Sequence, residues 1–124
     1  MSRESVLKMF NTLDDVFSQY FDRNELVDYF KNPIDGHDAE KMVSFKRRGT
    51  KVVMIYGIAG DRSSYVSIEL TKNNAYKPLP SEILNKFDRT CEFKDRNRDF
   101  KIILYNVDRN AEAIQDVADF LRRQ

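Results

Sequence analysis

The chain has one cysteine, one histidine, no tryptophan, four glycines and three prolines among 124 residues, and each scarcity closes a class of protein. Cys91 has no second cysteine to pair with, which excludes an internal disulfide framework and suits a reducing compartment. A cytoplasmic protein is expected. The low glycine and proline content excludes collagen-like and low-complexity chains. No apolar run reaches even half of the ~20 residues that a membrane-spanning helix requires. The opening Met1-Ser-Arg-Glu-Ser lacks the apolar stretch of a signal peptide. With His37 the one imidazole and Cys91 the one thiol, the stock of nucleophiles and bases is small.

What is present is charge and aromatic carbon. Charged residues make up 33% of the chain, beside nine Phe and six Tyr, so burial can offset chain entropy and disorder is not expected. A chain of this size buries roughly two-thirds of its unfolded surface in one core, and one domain over residues 1–124 is expected. The net charge of +1 hides two opposed parts. Residues 1–40 hold 9 acids and 4 bases, a net of −5, whereas residues 41–124 hold 11 acids and 17 bases, a net of +6. Such asymmetry indicates either an electrostatically chosen partner or an acidic helical part packed near a basic sheet.

Periodicity divides the chain into elements. In the N-terminal part, 1–31, Ser2 is placed to cap a helix, Glu4 suits its first turn, and Val6, Phe10, Leu13, Phe17 and Tyr20 make one apolar stripe. A second, short helix is expected from Asn24 to Phe30, with Leu26, Tyr29 and Phe30 on one side and Asn32-Pro33 ending it. Asn32 to Ala39 then reads as a loop. The region 42–106 reads as sheet: a hairpin of Val43 and Phe45 followed by Lys51 to Tyr56, a strand around Val66, Ile68 and Leu70, and a hairpin from Cys91 to Tyr105. A short helix capped by Ser81 carries Ile83, Leu84 and Phe87, and a C-terminal helix over 109–122 carries Ala111, Ile114, Val117, Ala118 and Leu121. This order predicts an α+β fold, an antiparallel sheet of about five strands with the N- and C-terminal helices packed on it.

Two segments resemble each other. Asn24-Glu-Leu-Val-Asp-Tyr-Phe30 aligns with Ser81-Glu-Ile-Leu-Asn-Lys-Phe87, and Ser44 to Tyr56 aligns with Glu92 to Tyr105. Read as structure, these are two helix-hairpin units related by a pseudo-two-fold; the alternative is convergent patterning. Each unit presents a charged hairpin tip. The first is Lys46-Arg-Arg-Gly-Thr-Lys51, and the second is Lys94-Asp-Arg-Asn-Arg-Asp99.

Basic tips are suited to phosphates, because guanidinium forks match phosphate oxygens and a β-ribbon can enter a groove. They also protect strands from edge pairing, a purely structural use. The candidate contact residues are Arg47, Arg48, Lys51, Lys94, Arg96 and Arg98, and Arg47→Ala is expected to shallow the salt dependence of nucleic-acid binding. The stretch carrying Tyr76-Lys77, Ile83, Lys86-Phe87, Cys91, Ala111-Glu112, Ile114 and Val117 resembles the tail of the double-wing DNA-binding domain of phage middle-promoter transcription activators. That resemblance covers less than half of the chain, departs from the pattern at Pro78 and Pro80, and transfers no DNA-contact residue.

Three functional expectations follow. The first is a non-enzymatic regulatory or inhibitory protein, of phage or mobile-element type, that binds a macromolecular partner stoichiometrically. A protein partner leads because charge of both signs suits selected interfaces. The second is nucleic-acid binding, DNA or RNA, through the two tips. The third is a metal-dependent hydrolase or nuclease on the loop of Asp35, His37, Asp38 and Glu40, whose spacing matches neither a calcium loop nor a zinc site. No cofactor, resident metal or membrane partner is expected. Apolar residues on both faces of Lys51 to Ile58, with Phe120 outside its helix's main stripe, make a homodimer conceivable.

Overall fold

The computed structural model describes residues 1–31 and 38–124. The polypeptide forms α1 (Arg3–Ser18), β1 (Asp22–Asp28), β2 (Ala39–Arg47), β3 (Thr50–Ala59), β4 (Ser64–Thr71), α2 (Ser81–Leu84), β5 (Glu92–Asp95), β6 (Asp99–Leu104), a 3-10 turn (Asp108–Asn110) and α3 (Ala111–Arg122). The strands make one antiparallel sheet in the order β1-β2-β3-β4-β6-β5. The expected α+β architecture is present, with six strands where about five were expected.

The added strand is β1, where the sequence predicts a helix. A seven-residue helix is too short to hold itself together. The same residues gain a full ladder by pairing with β2, Leu26 opposite Val43 and Val27 opposite Met42, so tertiary pairing overrides the helical spacing. This also divides the two segments read as repeats: residues 24–28 are strand, whereas Ser81–Leu84 is helix. The likeness of the two units therefore extends only to their hairpins. Ser81 is the first helical residue rather than the cap, a place taken by Pro80. Of the loop expected from Asn32 to Ala39, residues 32–37 lie outside the described residues, and Ala39 already belongs to β2, paired with Ala59.

Helix α1 forms as its pattern dictates. Ser2 Oγ accepts the Ser5 N–H at 3.1 Å, and Val6, Phe10, Leu13 and Phe17 are fully buried, each contributing about 1.5–3 kcal/mol. These side chains lie on the sheet face made by Val43, Phe45, Val53, Ile55, Val66, Ile68, Leu70, Ile102 and Leu104. Gly57 of β3 lets the helix approach, since a Cβ there would meet Val6 Cγ1 at 3.2 Å and Phe10 Cβ at 3.4 Å. Helix α3 adds Ala113, Ile114, Val117 and Ala118 to the same core, and Phe120 packs against it. Ala111, expected on the buried face of α3, is exposed, and Ala113 takes that place.

The entry to α3 is fixed by a buried amide. Asn110 Oδ1 accepts the Asp88 N–H at 2.8 Å, and its Nδ2 donates to Asn106 O at 2.7 Å and to Asp88 Oδ2 at 3.2 Å. The residue that sequence places at the helix start thus ties α3 to the chain leaving α2. Among the described residues no helix is long and apolar enough to cross a membrane.

Candidate functional site

The sheet topology decides where the two tips lie. β2 runs toward the Arg48-Gly49 turn and β3 runs away from it, closing with Arg47 opposite Thr50. β4 returns to the same end, where Thr71 pairs with Asp99, the first residue of β6. The turn between β5 and β6 therefore lies at the same end of the sheet as the turn between β2 and β3. With β4 alone between β3 and β6, those two strands are about 10 Å apart and the centres of the two tips about 14 Å apart in the strand-pairing direction.

The segment after β4 joins the tips. Asn73 Nδ2 donates to Lys51 O at 3.1 Å, and the Lys72 N–H donates to Arg98 O at 2.9 Å. The C-terminus of α3 reaches the same end, because Arg47 Nη1 donates to Leu121 O at 2.9 Å. Lys77, Arg122 and Arg123, which single-residue reading did not select, thereby join a basic end built around tip one. What could have found them is topology alone, since nothing in their local sequence distinguishes them from ordinary surface cations.

The six candidate cations do different jobs. Arg47 is committed to the helix terminus, where a cation opposes the dipole and satisfies a carbonyl. Arg96 is held twice over: Nε donates to Asp99 Oδ1 at 2.6 Å, and Nη2 donates to Asp99 Oδ2 at 2.8 Å and to Glu69 Oε1 at 3.0 Å. That clamp holds the Asp99 carboxyl below its usual range, while burial pushes Glu69 up. Lys72, from the segment after β4, pairs with Asp95 and so neutralises one of tip two's two acids. Lys94 stands opposite Lys101, one row below the turn. Among the described residues, no ion pair or hydrogen bond engages the side chains of Arg48, Lys51, Lys94 or Arg98. The equivalence of the tips in sequence is thus not an equivalence in charge: tip one carries no acid, whereas tip two spends Arg96 on Asp99 and Glu69 and keeps Lys94 and Arg98.

Tip one has a defined turn. Arg48 and Gly49 have φ of 52° and 78°, the pair of positive values that a two-residue hairpin with matched twist requires. Gly49 adopts this at no steric cost, whereas Arg48 bears some strain and points its side chain outward into solvent.

The sheet face opposite α1 and α3 carries Tyr56, Tyr65, Lys101 and Tyr105. The Tyr65 and Tyr105 rings meet edge to face at 6.5 Å, and Lys101 Nζ lies 5.4 Å from the Tyr65 centroid. Ser67 Oγ is buried on this face with no hydrogen-bond partner.

The catalytic alternatives find little to stand on. Burial, the nearby Asp88 charge and a Sγ···Oδ1 contact of 3.6 Å push the Cys91 thiol up to about 12, so it stays protonated and is a poor nucleophile. Cys91 also lies just outside β5 and is half-buried, rather than sitting in a core strand. His37 and Asp35 lie outside the described residues. Among the described residues no group of three His, Cys, Asp or Glu side chains could hold a metal ion.

No family model, curated protein or solved structure matches this chain. The likeness of the C-terminal stretch to a double-wing tail gains no support from these comparisons.

Proposed function

We propose that the chain is a non-catalytic binding protein whose basic end holds nucleic acid. The observation that carries this reading is the placement of both hairpin tips, the segment between them and the α3 terminus at one end of the sheet. Arg48, Lys51, Lys77 and Arg98 contact phosphates, with Arg122 and Arg123 at the margin. Arg47 and Arg96 act as supports, one fixing α3 behind tip one and the other fixing tip two.

Fluorescence anisotropy of labelled single-stranded and duplex oligonucleotides across a salt series tests this. Log affinity falls linearly with log salt, and Arg48→Asn, which keeps a residue tolerant of the turn's backbone, lowers the slope by about 0.7–0.9 for its one lost phosphate contact. Arg98→Gln does the same. No binding to single strands, duplex DNA or RNA at low salt would refute the reading.

A protein partner is the second reading, and a separate observation favours it: among the described residues no helix packs on the sheet face bearing Tyr56, Tyr65 and Tyr105. Tyrosines with a charged neighbour are common anchors of protein interfaces. Lys101→Glu with Tyr105→Ala would then abolish capture of the partner and leave the oligonucleotide salt slope untouched.

A further inference from the structure

Between tip one, the segment after β4 and the end of α3 lies a cavity of about 440 Å³, lined in part by Arg47, Arg48, Tyr76, Lys77, Leu121 and Gln124. We infer that this cavity is a nucleotide pocket, taking a phosphate and a planar ring together. A free mononucleotide and an unstacked nucleotide of a strand present this same chemistry. The inference shares the basic end with the nucleic-acid reading, and the first of these two sources does not require that reading.

The volume falls within the range of small-molecule sites. Three of the lining side chains are cationic and none is a carboxylate, while Val52, Ala75 and Leu121 give an apolar wall. A bare inorganic anion would leave that wall unused, and an apolar ligand would strip water from three cations without return. A ligand with an anionic end and a flat apolar end satisfies both. Tyr76, whose ring has Lys72 Nζ 5.6 Å from its centroid, lines the cavity with the aromatic surface left for such a ring to meet. Arg47 has given one N–H to Leu121 O and retains other donors of its fork.

A second observation points to a ligand. Gln124 Nε2 donates to Phe120 O at 3.1 Å, which fixes the amide, and Gln124 Oε1 is buried with no partner. A buried acceptor without a donor is unusual in a native fold, and the exocyclic amino group of a base reaching it from the cavity would supply one. The wall is also preformed. Asn73 Oδ1 accepts the Ala75 N–H at 2.8 Å, the Tyr76 N–H donates to Asn73 O at 3.1 Å, and Asn73 is itself anchored on Lys51.

The test is a titration of ¹⁵N-labelled protein with AMP, adenosine, inorganic phosphate and a short single-stranded oligonucleotide. AMP is expected to shift the amides of Arg48, Tyr76, Lys77, Leu121 and Gln124 saturably, and adenosine or phosphate alone to bind at least about tenfold more weakly. Ala75→Trp, an exposed loop position that fills the cavity, and Lys77→Gln, which removes a cation, each weaken AMP. If Ala75→Trp also weakens the oligonucleotide, the strand delivers a nucleotide to the pocket; if strand affinity is unchanged, the ligand is a free nucleotide. Absence of saturable AMP shifts, equal binding of phosphate and AMP, or full AMP affinity in a folded Ala75→Trp protein each overturns the inference. An oligonucleotide that fails to bind while AMP still does removes the nucleic-acid reading and leaves the pocket standing.

Discussion

Glu69 shows how one residue's environment can set a pH dependence. It lies on the sheet face away from the helices, only 8% exposed, between Arg96 and Asp99. Desolvation outweighs the attraction of Lys101 and Arg96, so its carboxyl titrates above its usual value. A carboxyl with a raised folded pKa takes up protons on folding, and stability therefore falls as pH rises from the unfolded pKa through the folded one. Asp99 has the opposite sign: the Arg96 clamp depresses it, and the stability it brings is lost only as pH falls below the ordinary carboxylate range. Glu69→Gln is expected to flatten the decline in melting temperature as pH rises above the ordinary glutamate range. An unchanged decline would show that another group governs it.

At the scale of elements, the contact of α1 with β3 leaves no room for a side chain at Gly57. The helix stripe was legible because four buried side chains recur at helical spacing on a capped segment. The glycine that admits them was not, because Gly57 sits in an apolar run whose meaning depends on what crosses it. Gly57→Val places methyls where Val6 and Phe10 already stand, and overpacking of this kind costs about 1–3 kcal/mol. Urea denaturation should show the loss as a lower midpoint with an unchanged slope, and wild-type stability would contradict the contact. β1 illustrates the converse. Its Leu26 and Val27 satisfy a helix or a strand equally well, and the edge of β2 decides between them. Leu26, facing the core side at that edge, remains 55% exposed because no helix extends over it.

For the whole molecule, the consequence of topology is a gathering of cations that lie far apart in the sequence. Arg47 and Leu121 are 74 residues apart and share a hydrogen bond. That bond makes Arg47 a strut, so the sequence-based choice of Arg47→Ala as the probe of phosphate contact passes to Arg48. Arg47→Ala should cost about 1 kcal/mol through the lost carbonyl bond, and should speed hydrogen exchange at the end of α3. Slow exchange there in the variant would mean that the terminus is held by other contacts.

The sequence by itself determined the α+β class, the capped and striped α1, the hairpin β2-β3, the hairpin β5-β6 and the C-terminal helix, because each follows from local periodicity, capping residues and turn chemistry within a few positions. It also located both basic tips. Only the tertiary structure decided that the tips share one end of the sheet, that Arg47 and Arg96 are spent on internal partners, that residues 22–28 are an edge strand, and that a cavity opens beside Arg48 and Tyr76. Each of these depends on pairing or contact between distant segments, where electrostatic and hydrogen-bond partners are chosen by position in space and leave no periodic trace along the chain.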